Sequence, residues 1–534
     1  MKKTYDALII GAGHNGLVCA CYLAARGWSV RVLERRHIIG GTAVTEEFHP
    51  GFRNSTASYT VSLLHPKVIH DLRLFQHGLR VIERPYSNFL PLGDNEYIKV
   101  GGGLAATQRE VARFSVRDAE RLPAYYAMLE DVAAVVKDLL LETPPNVGGG
   151  MRDLFQAVKV GKRFKALDIS LRRDLLDLFT KSAGDILDQW FESDPIKACF
   201  GFDSIVGNLA SPYTAGSAYV LLHHVLGEVN GKPGTWGHAL GGMGAIAVAL
   251  GKEAGIRGVE ISTSAAVKEV MLRETKSGHE ACGVKLEDGS EIRAQRVVSN
   301  LNPKLLFRTL INPLALPDDF QKRIAAYKCG SGSFRMNVAL SELPRFTCQA
   351  TPNNAPAPHH SSGIIMAPSL RYMEQAYFDV RSLGWSQQPI VEMLIPSTVD
   401  DSLAPPGKHV ASLFCQHVLP HLPNGKSWDD ERERVADVMF ATIDRYSPNF
   451  RASVIGRQIF SPLDLERTFG LMDGDIFHGA LTLDQLFSAR PLLGHGDYRT
   501  PIKGLYQCGS GTHPGGGVTG VPGHNAAREI LHDR

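Results

Sequence analysis

Gly11, Gly13 and Gly16 stand in the spacing G-x-G-x-x-G, and an acid, Glu34, follows 18 residues after the last of them. Each glycine suits a separate task. Gly11 permits a tight turn, Gly13 lets a pyrophosphate approach the backbone, and Gly16 lets a helix pack close to a strand. Ala12, His14 and Asn15 fill the intervening positions. The unpaired N–H groups and positive dipole end at the start of the next helix attract phosphate. Glu34 can accept hydrogen bonds from an adenosine ribose, and an acid there disfavours a 2′-phosphate and hence NADP. A second glycine pair, Gly40 and Gly41, follows in the run from Glu34 and Arg35 to Thr42. Near the other end of the chain, seven of the fifteen residues 509–523 are glycine. A loop of that composition must pass very close to something flat or bulky.

The flanking residues supply the elements that position these loops. Tyr5 to Ile10 is a short apolar run, read as a buried parallel strand. His14 to Arg26 reads as a helix with Leu17, Ala20, Cys21 and Ala24 on one face, stopped by Gly27. Trp28 to Leu33 reads as the second strand. Leu505 to Cys508 predicts a strand before the late glycine loop, and His524 to Leu531 a helix after it, with Pro522 near its first turn. Between the two ends, Val267 to Leu272 reads as a strand and Gly283 to Ala294 as a hairpin turning at Asp288-Gly289. Arg296 to Asn300 reads as a strand returning to the main sheet. The fold class is therefore α/β, a Rossmann-like nucleotide domain assembled from 1–70, 235–305 and 495–534. A largely helical cap region at 71–234 and an α+β substrate domain at 306–494 are inserted into it.

Composition sets the outer bounds. The chain has 534 residues, 57 Lys and Arg against 55 Asp and Glu, so nothing in its charge calls for nucleic acid. Its eight cysteines show no C-x-x-C pair, which argues against a zinc site or a redox dithiol and for a reducing compartment. Lys2-Lys3 before an apolar run imitates a signal peptide, but Asp6 and the glycine turn break it; a cytoplasmic location is the expectation. Residues 152–181 carry eight basic residues against four acids, with Leu154, Phe155, Val158 and Phe164 interleaved. The reading adopted is a solvated face over an ordinary core; the alternative is contact with an anionic membrane surface. Thr351 to Pro358 reads as an exposed loop or lid. Gly241-Gly242-Met243-Gly244 reads as a loop approaching the cofactor, and His223-His224 as structural, with no metal site anywhere.

The stretches YDALIIGAGHNGLVCACYL, ERRHIIGGTAVTEEFHPGF, SPYTAGSAYVLLHH, GGMGAI and GLYQCGSGTHPGGGVTGVPGHNAA span nearly the whole chain. With them the chain resembles the phytoene desaturase-like flavoproteins of the amine oxidase superfamily, and within these the pyridine nucleotide-disulphide oxidoreductase domain-containing protein 2 subgroup. The resemblance implies FAD. It places Gly40 and Gly41 beside the pyrophosphate, Val267 at the adenine, and Gly509, Ser510 and Gly517 along the ribityl chain, with Asn300 also in the cofactor site. It also places the backbone of Val521 at the flavin pyrimidine. Thr42 departs from the Arg that many relatives carry there. The chemistry implied is hydride transfer between an apolar, polyene-like substrate and flavin N5, as desaturation, saturation or isomerisation. Disulphide reduction is rejected, because no cysteine pair has usable spacing. Two alternatives stay open: an amine-oxidase-like enzyme releasing peroxide, and a flavin-bearing interaction protein without turnover. His513 is the candidate acid or base, since it lies in the flavin loop and titrates near neutrality; Tyr59 and Arg53 are weaker candidates. The oligomeric state is left open.

Overall fold

A computed structural model describes residues 4–533 apart from 94, 147, 277, 353 and 354. Lys2-Lys3 and two residues of the Thr351–Pro358 segment thus lie outside the described residues. The first sheet runs Glu260–Ser262, Val30–Leu33, Thr4–Ile10, Glu291–Ser299, Gly278–Leu286, Val267–Thr275, with Leu505–Gln507 also on Glu291–Ser299. Thr4–Ile10 is its centre, parallel to both neighbours, and Ala7, Leu8 and Ile9 are fully buried. A strand covered on both faces must be apolar throughout, which is why YDALII is a continuous run rather than an alternating one. The helix His14–Ala24 packs on one face of the sheet together with Gly244–Ile256 and the final helix Val521–His532. All strands of this sheet come from the three segments 4–33, 260–299 and 505–507.

The second sheet has seven strands in the order Val454–Phe460, Ser333–Leu340, His409–Val418, Trp385–Leu394, Gly363–Met366, Asn88–Pro91, Tyr97–Val100. The last two strands correct the expected division of the chain. Residues 88–100 fall in the block read as a helical cap, yet they extend the sheet built from 333–460. Phe334, Met336, Met393 and Leu413 bury one face of this sheet against the helix Trp428–Asp444.

A helical block covers the other side of the gap between the sheets. Its long helix Val116–Leu140 starts on a Ser115 cap and buries Leu122, Tyr125, Leu129, Val132 and Val136. Met151–Ala166 behaves differently. None of its residues is buried, and Met151, Leu154, Phe155 and Val158 remain 66%, 57%, 67% and 47% exposed. The reading of 152–181 as a solvated face over an ordinary core fails for this helix, whose apolar face covers no core among the described residues, and holds for the next, where Leu171, Leu175 and Leu178 pack on the core. Among those residues no helix is long and apolar enough to cross a membrane.

Candidate active site

The loop after the first strand is built as its glycines require. Gly11 adopts φ +94°, and a Cβ on Gly16 would lie 2.2 Å from the Gly11 carbonyl oxygen. The helix can therefore start only where no side chain intervenes. Glu34 clamps the turn: its carboxylate accepts from the Ala12 N–H at 2.8 Å and from the Arg36 N–H at 2.9 Å. The second glycine pair lies directly alongside. Gly40 donates to the Ala12 carbonyl at 2.8 Å, and a Cβ on Gly41 would sit 3.2 Å from Gly13 Cα.

The late glycine loop closes the arrangement. Asn15 Nδ2 donates to Ser510 Oγ at 3.1 Å, joining residues 495 positions apart. A Cβ on Gly509 would lie 2.6 Å from the Asn300 carbonyl oxygen, and one on Gly523 would lie 2.1 Å from that of Asn15. Three glycine segments thus converge on one point at the strand ends, where ligands bind in open α/β sheets. The space beside Gly13 is partly filled by Asn300, whose Nδ2 would be 2.6 Å from a Cβ there.

A cleft of about 300 Å³ opens at this point. Gly11, Gly13, His14 and Asn15 line it from the first loop, and Glu34, Arg35, Gly41 and Thr42 from the second. Val267, Asn300 and Ser510 complete the expected set of lining residues. The other candidates stand behind it. Ala12, Gly16 and Gly40 hold backbone to backbone, and Gly509 packs on Asn300. Gly517 lines a second cavity. Val521 opens the final helix and lines neither space; its N–H donates to Thr519 Oγ1 at 3.1 Å.

Two expectations need correction. His513 lines neither cavity: it is buried, its Nε2 meets the Leu139 carbonyl at 3.1 Å, and its ring lies 5.4 Å from Phe487. Burial lowers its pKa to about 4, so it is a neutral brace between the glycine loop and the long helix. The Gly241–Gly244 loop does not reach the cleft. It packs on the hairpin Thr45–His49 and Phe52–Ser55, where Gly244 donates to Thr45 Oγ1 and Met243 to Ser55 Oγ, both at 3.0 Å. Arg53 is exposed on that hairpin, away from the cavities.

Beyond the cleft lie two further cavities of about 120 Å³ each. The middle one shares the walls His14, Thr42, His478 and Ser510 with the cleft; Leu63, Phe414 and Phe477 make much of the rest apolar, with Ser58, Thr60 and Ser62 among them. The inner one shares Tyr59, Thr60, Val206, His224 and Trp236 with the middle one. His223 and His224 are both buried with lowered pKa values, about 3 and about 4, and no metal-binding cluster occurs among the described residues. His224 nevertheless walls both inner cavities, stacked on Trp236 at 5.7 Å. Sequence reasoning also missed His478 and Arg490. His478 sits at φ 58° on the boundary between cleft and cavity. Arg490 is fully buried and donates to the carbonyls of Phe477 and Ser510, at 2.7 and 2.8 Å, fixing the His478 loop to the glycine loop.

Polar atoms left over in the cleft fit a bound nucleotide. His14 Nε2, Asn15 Oδ1 and His478 Nδ1 are buried without a hydrogen-bond partner. Burial keeps His14 neutral, lowering its pKa to about 3. Buried groups of this kind carry a desolvation cost unless a ligand meets them.

A family model described as flavin containing amine oxidoreductase matches residues 16–334. The chain belongs to that family. It is 41% identical to pyridine nucleotide-disulfide oxidoreductase domain-containing protein 2 of Rattus norvegicus, over 100% of this chain and 94% of that protein. It is 27% identical to a phytoene desaturase (lycopene-forming) of Pseudescherichia vulneris, over 98% and 97% of the two chains. Among solved structures, cyclohexylamine oxidase from Brevibacterium oxydans shares the fold with a TM-score of 0.55 at 16% identity, covering 99% of each chain. The expected phytoene desaturase-like family, the flavoprotein oxidoreductase class and the FAD cofactor are thus supported together.

Proposed function

We propose that this flavoprotein oxidises, reduces or isomerises a carbon–carbon unit in an apolar substrate held in the two inner cavities. The observation that carries the reading is that the middle cavity shares His14, Thr42, His478 and Ser510 with the cofactor cleft, and the inner cavity shares Tyr59, Thr60, Val206, His224 and Trp236 with the middle one. Gly11, Gly13, Glu34, Gly41, Val267 and Ser510 would hold FAD. When bound, it supplies a ring able to exchange hydride with carbon. The protein's own part is positional. Leu63, Val206, Phe414 and Phe477 exclude water from the middle cavity, and neutral His14 and His478 bound it without adding charge.

The test is anaerobic mixing of the flavin-loaded protein with isoprenoid compounds and, separately, with primary amines, following the flavin's visible absorbance. Bleaching by isoprenoids supports the reading. Bleaching by amines alone, with peroxide on admission of air, replaces it with an amine oxidase. A protein that neither carries nor takes up FAD overturns it.

We infer further that the uncovered face of Met151–Ala166 docks on an anionic lipid surface. Four apolar side chains project from a helix that also carries Lys159, Lys162, Arg163 and Lys165, with Arg172 and Arg173 on the next helix. An exposed apolar face flanked by cations complements an anionic bilayer. It also places the enzyme where apolar substrates collect.

A further inference from the structure

The inner cavity is apolar along most of its wall but carries groups that an unsubstituted hydrocarbon cannot satisfy. Tyr125, fully buried, presents a hydroxyl with no hydrogen-bond partner. The Asp203 carboxyl lines the same space, and no hydrogen bond to it is found among the described residues. Arg84 also lines this space, facing Glu392 and Tyr59, with its guanidinium donating to the Thr60 hydroxyl. The fourth group, Glu392, is already engaged: Tyr59 donates to its Oε2 at 2.5 Å. Tyr59 is itself fixed, stacked on Phe414 at 5.4 Å beneath the Arg335 guanidinium at 4.6 Å.

Resting on the flavin reading above, we propose that these groups bind a carbonyl or carboxylate oxygen on the part of the substrate that lies in the inner cavity, away from the cofactor cleft. The argument is an inventory of donors. Burial, and after it the charge of Glu392, raises the Asp203 pKa to about 8, so at neutral pH its carboxyl keeps a proton to donate. Tyr125 keeps its proton for the same reason of burial. Arg84 has donors only. Two unpartnered donors, Tyr125 and Asp203, on the wall of one space call for an acceptor. An ammonium group would bring more donors, and a hydrocarbon would leave Tyr125 and Asp203 unmet. These groups lie in the cavity remote from the cofactor cleft. An oxygen anchored there fixes how far along the apolar body the reacting bond falls.

The flavin-loaded protein is titrated with four C10 probes of one skeleton: geranic acid, geranial, myrcene and geranylamine. Quenching of tryptophan fluorescence gives affinity, because Trp236 walls both inner cavities, and the flavin spectrum is recorded alongside. The acid or the aldehyde binds about a hundredfold tighter than myrcene, a hydrogen-bonding site rejecting an analogue without the group. Tighter acid identifies a carboxylate, tighter aldehyde a carbonyl. Tyr125→Phe and Asp203→Leu, each of which removes a donor, narrow the gap. The wild-type ranking stands as a test even where a variant fails to fold. Myrcene binding as tightly as the oxygenated probes, or geranylamine binding tightest, overturns the proposal. The same ranking in protein that takes up no flavin refutes the flavin reading and leaves this one intact.

Discussion

Asp203→Asn is expected to stabilise the protein increasingly as pH rises, and the size of the effect follows from the site. In the unfolded chain an Asp ionises near its ordinary pKa, about 3.9. In the folded protein burial, then Glu392, holds the proton on Asp203 up to about 8. Between those values the folded state binds more protons than the unfolded state. Unfolding free energy therefore falls as pH rises, by about 1.4 kcal/mol per unit, and levels off above the folded pKa. From pH 5 to pH 8 the wild type loses up to about 4 kcal/mol from this group. Asparagine has no such titration. At about 2.1 cal/mol/K of unfolding entropy per residue, a chain of this length converts that into about 4 °C. Asp203 retains some accessible surface, and water reaching it through the cavity would reduce the figure to about 2 °C. The charged and titratable groups around it are Glu392, Tyr125, Tyr126, Cys199, Arg84 and His224. The assay is thermal unfolding of both proteins at pH 5, 6, 7 and 8 (about one-unit steps across the window). Subtracting the two curves cancels groups that titrate alike in both. A difference that grows with pH supports a protonated Asp203; curves that run parallel from pH 5 to pH 8 refute it.

Other perturbations probe the grip and the surface. Gly523→Ala puts a methyl 2.1 Å from the Asn15 carbonyl oxygen. It must force the first and last helices apart by about 1 Å, costing about 1–3 kcal/mol and weakening FAD retention, read by denaturant melts and by flavin content after gel filtration. Arg490→Gln leaves the carbonyls of Phe477 and Ser510 without their buried partner. A loss of about 3–5 kcal/mol is expected, and a melt within experimental error of wild type would show that the two loops hold without it. Phe155→Glu on the uncovered helix is expected to abolish sedimentation with phosphatidylglycerol vesicles while leaving the flavin spectrum unchanged. Persistent sedimentation, or a shift from dimer to monomer on gel filtration, would assign that face to something other than lipid.

What the sequence discloses depends on whether chemistry constrains residue type at fixed spacing. The cofactor grip is of that kind. A Cβ at Gly16 or Gly523 would strike backbone, so the position admits only glycine and the pattern is visible in one dimension. The same signal misleads at Gly242 and Gly244, where Cβ atoms would strike Thr45 and the glycines serve packing between elements. His513 was selected for its loop and its titration range, but neither says which way a ring turns, and this one faces Leu139. Amphipathic periodicity in Met151–Ala166 reported an apolar face without reporting whether anything covers it. The strands at 88–100 escaped notice because they complete a sheet whose other members lie more than 200 residues downstream.

Of the inner cavity only Tyr59 was legible, for a topological reason. Tyr125 comes from the long helix, Asp203 from the end of the helix Asp194–Phe202, Glu392 from a strand of the second sheet, and Tyr59 from the loop after the first hairpin. No two of them share a local pattern, and each residue type has an ordinary role elsewhere in the chain. This scattering bears on function. The grip is confined to the first sheet and its glycine loops, whereas Tyr125, Asp203 and Glu392 of the inner cavity come from the helical block and the second sheet. Changes at Tyr125, Asp203 or Arg84 can therefore alter which end group is held without touching Gly11, Glu34 or Ser510. A fold divided in this way can keep one cofactor while its substrates diverge. The chemistry of the inner wall then informs on substrate more than the shared glycine loops do.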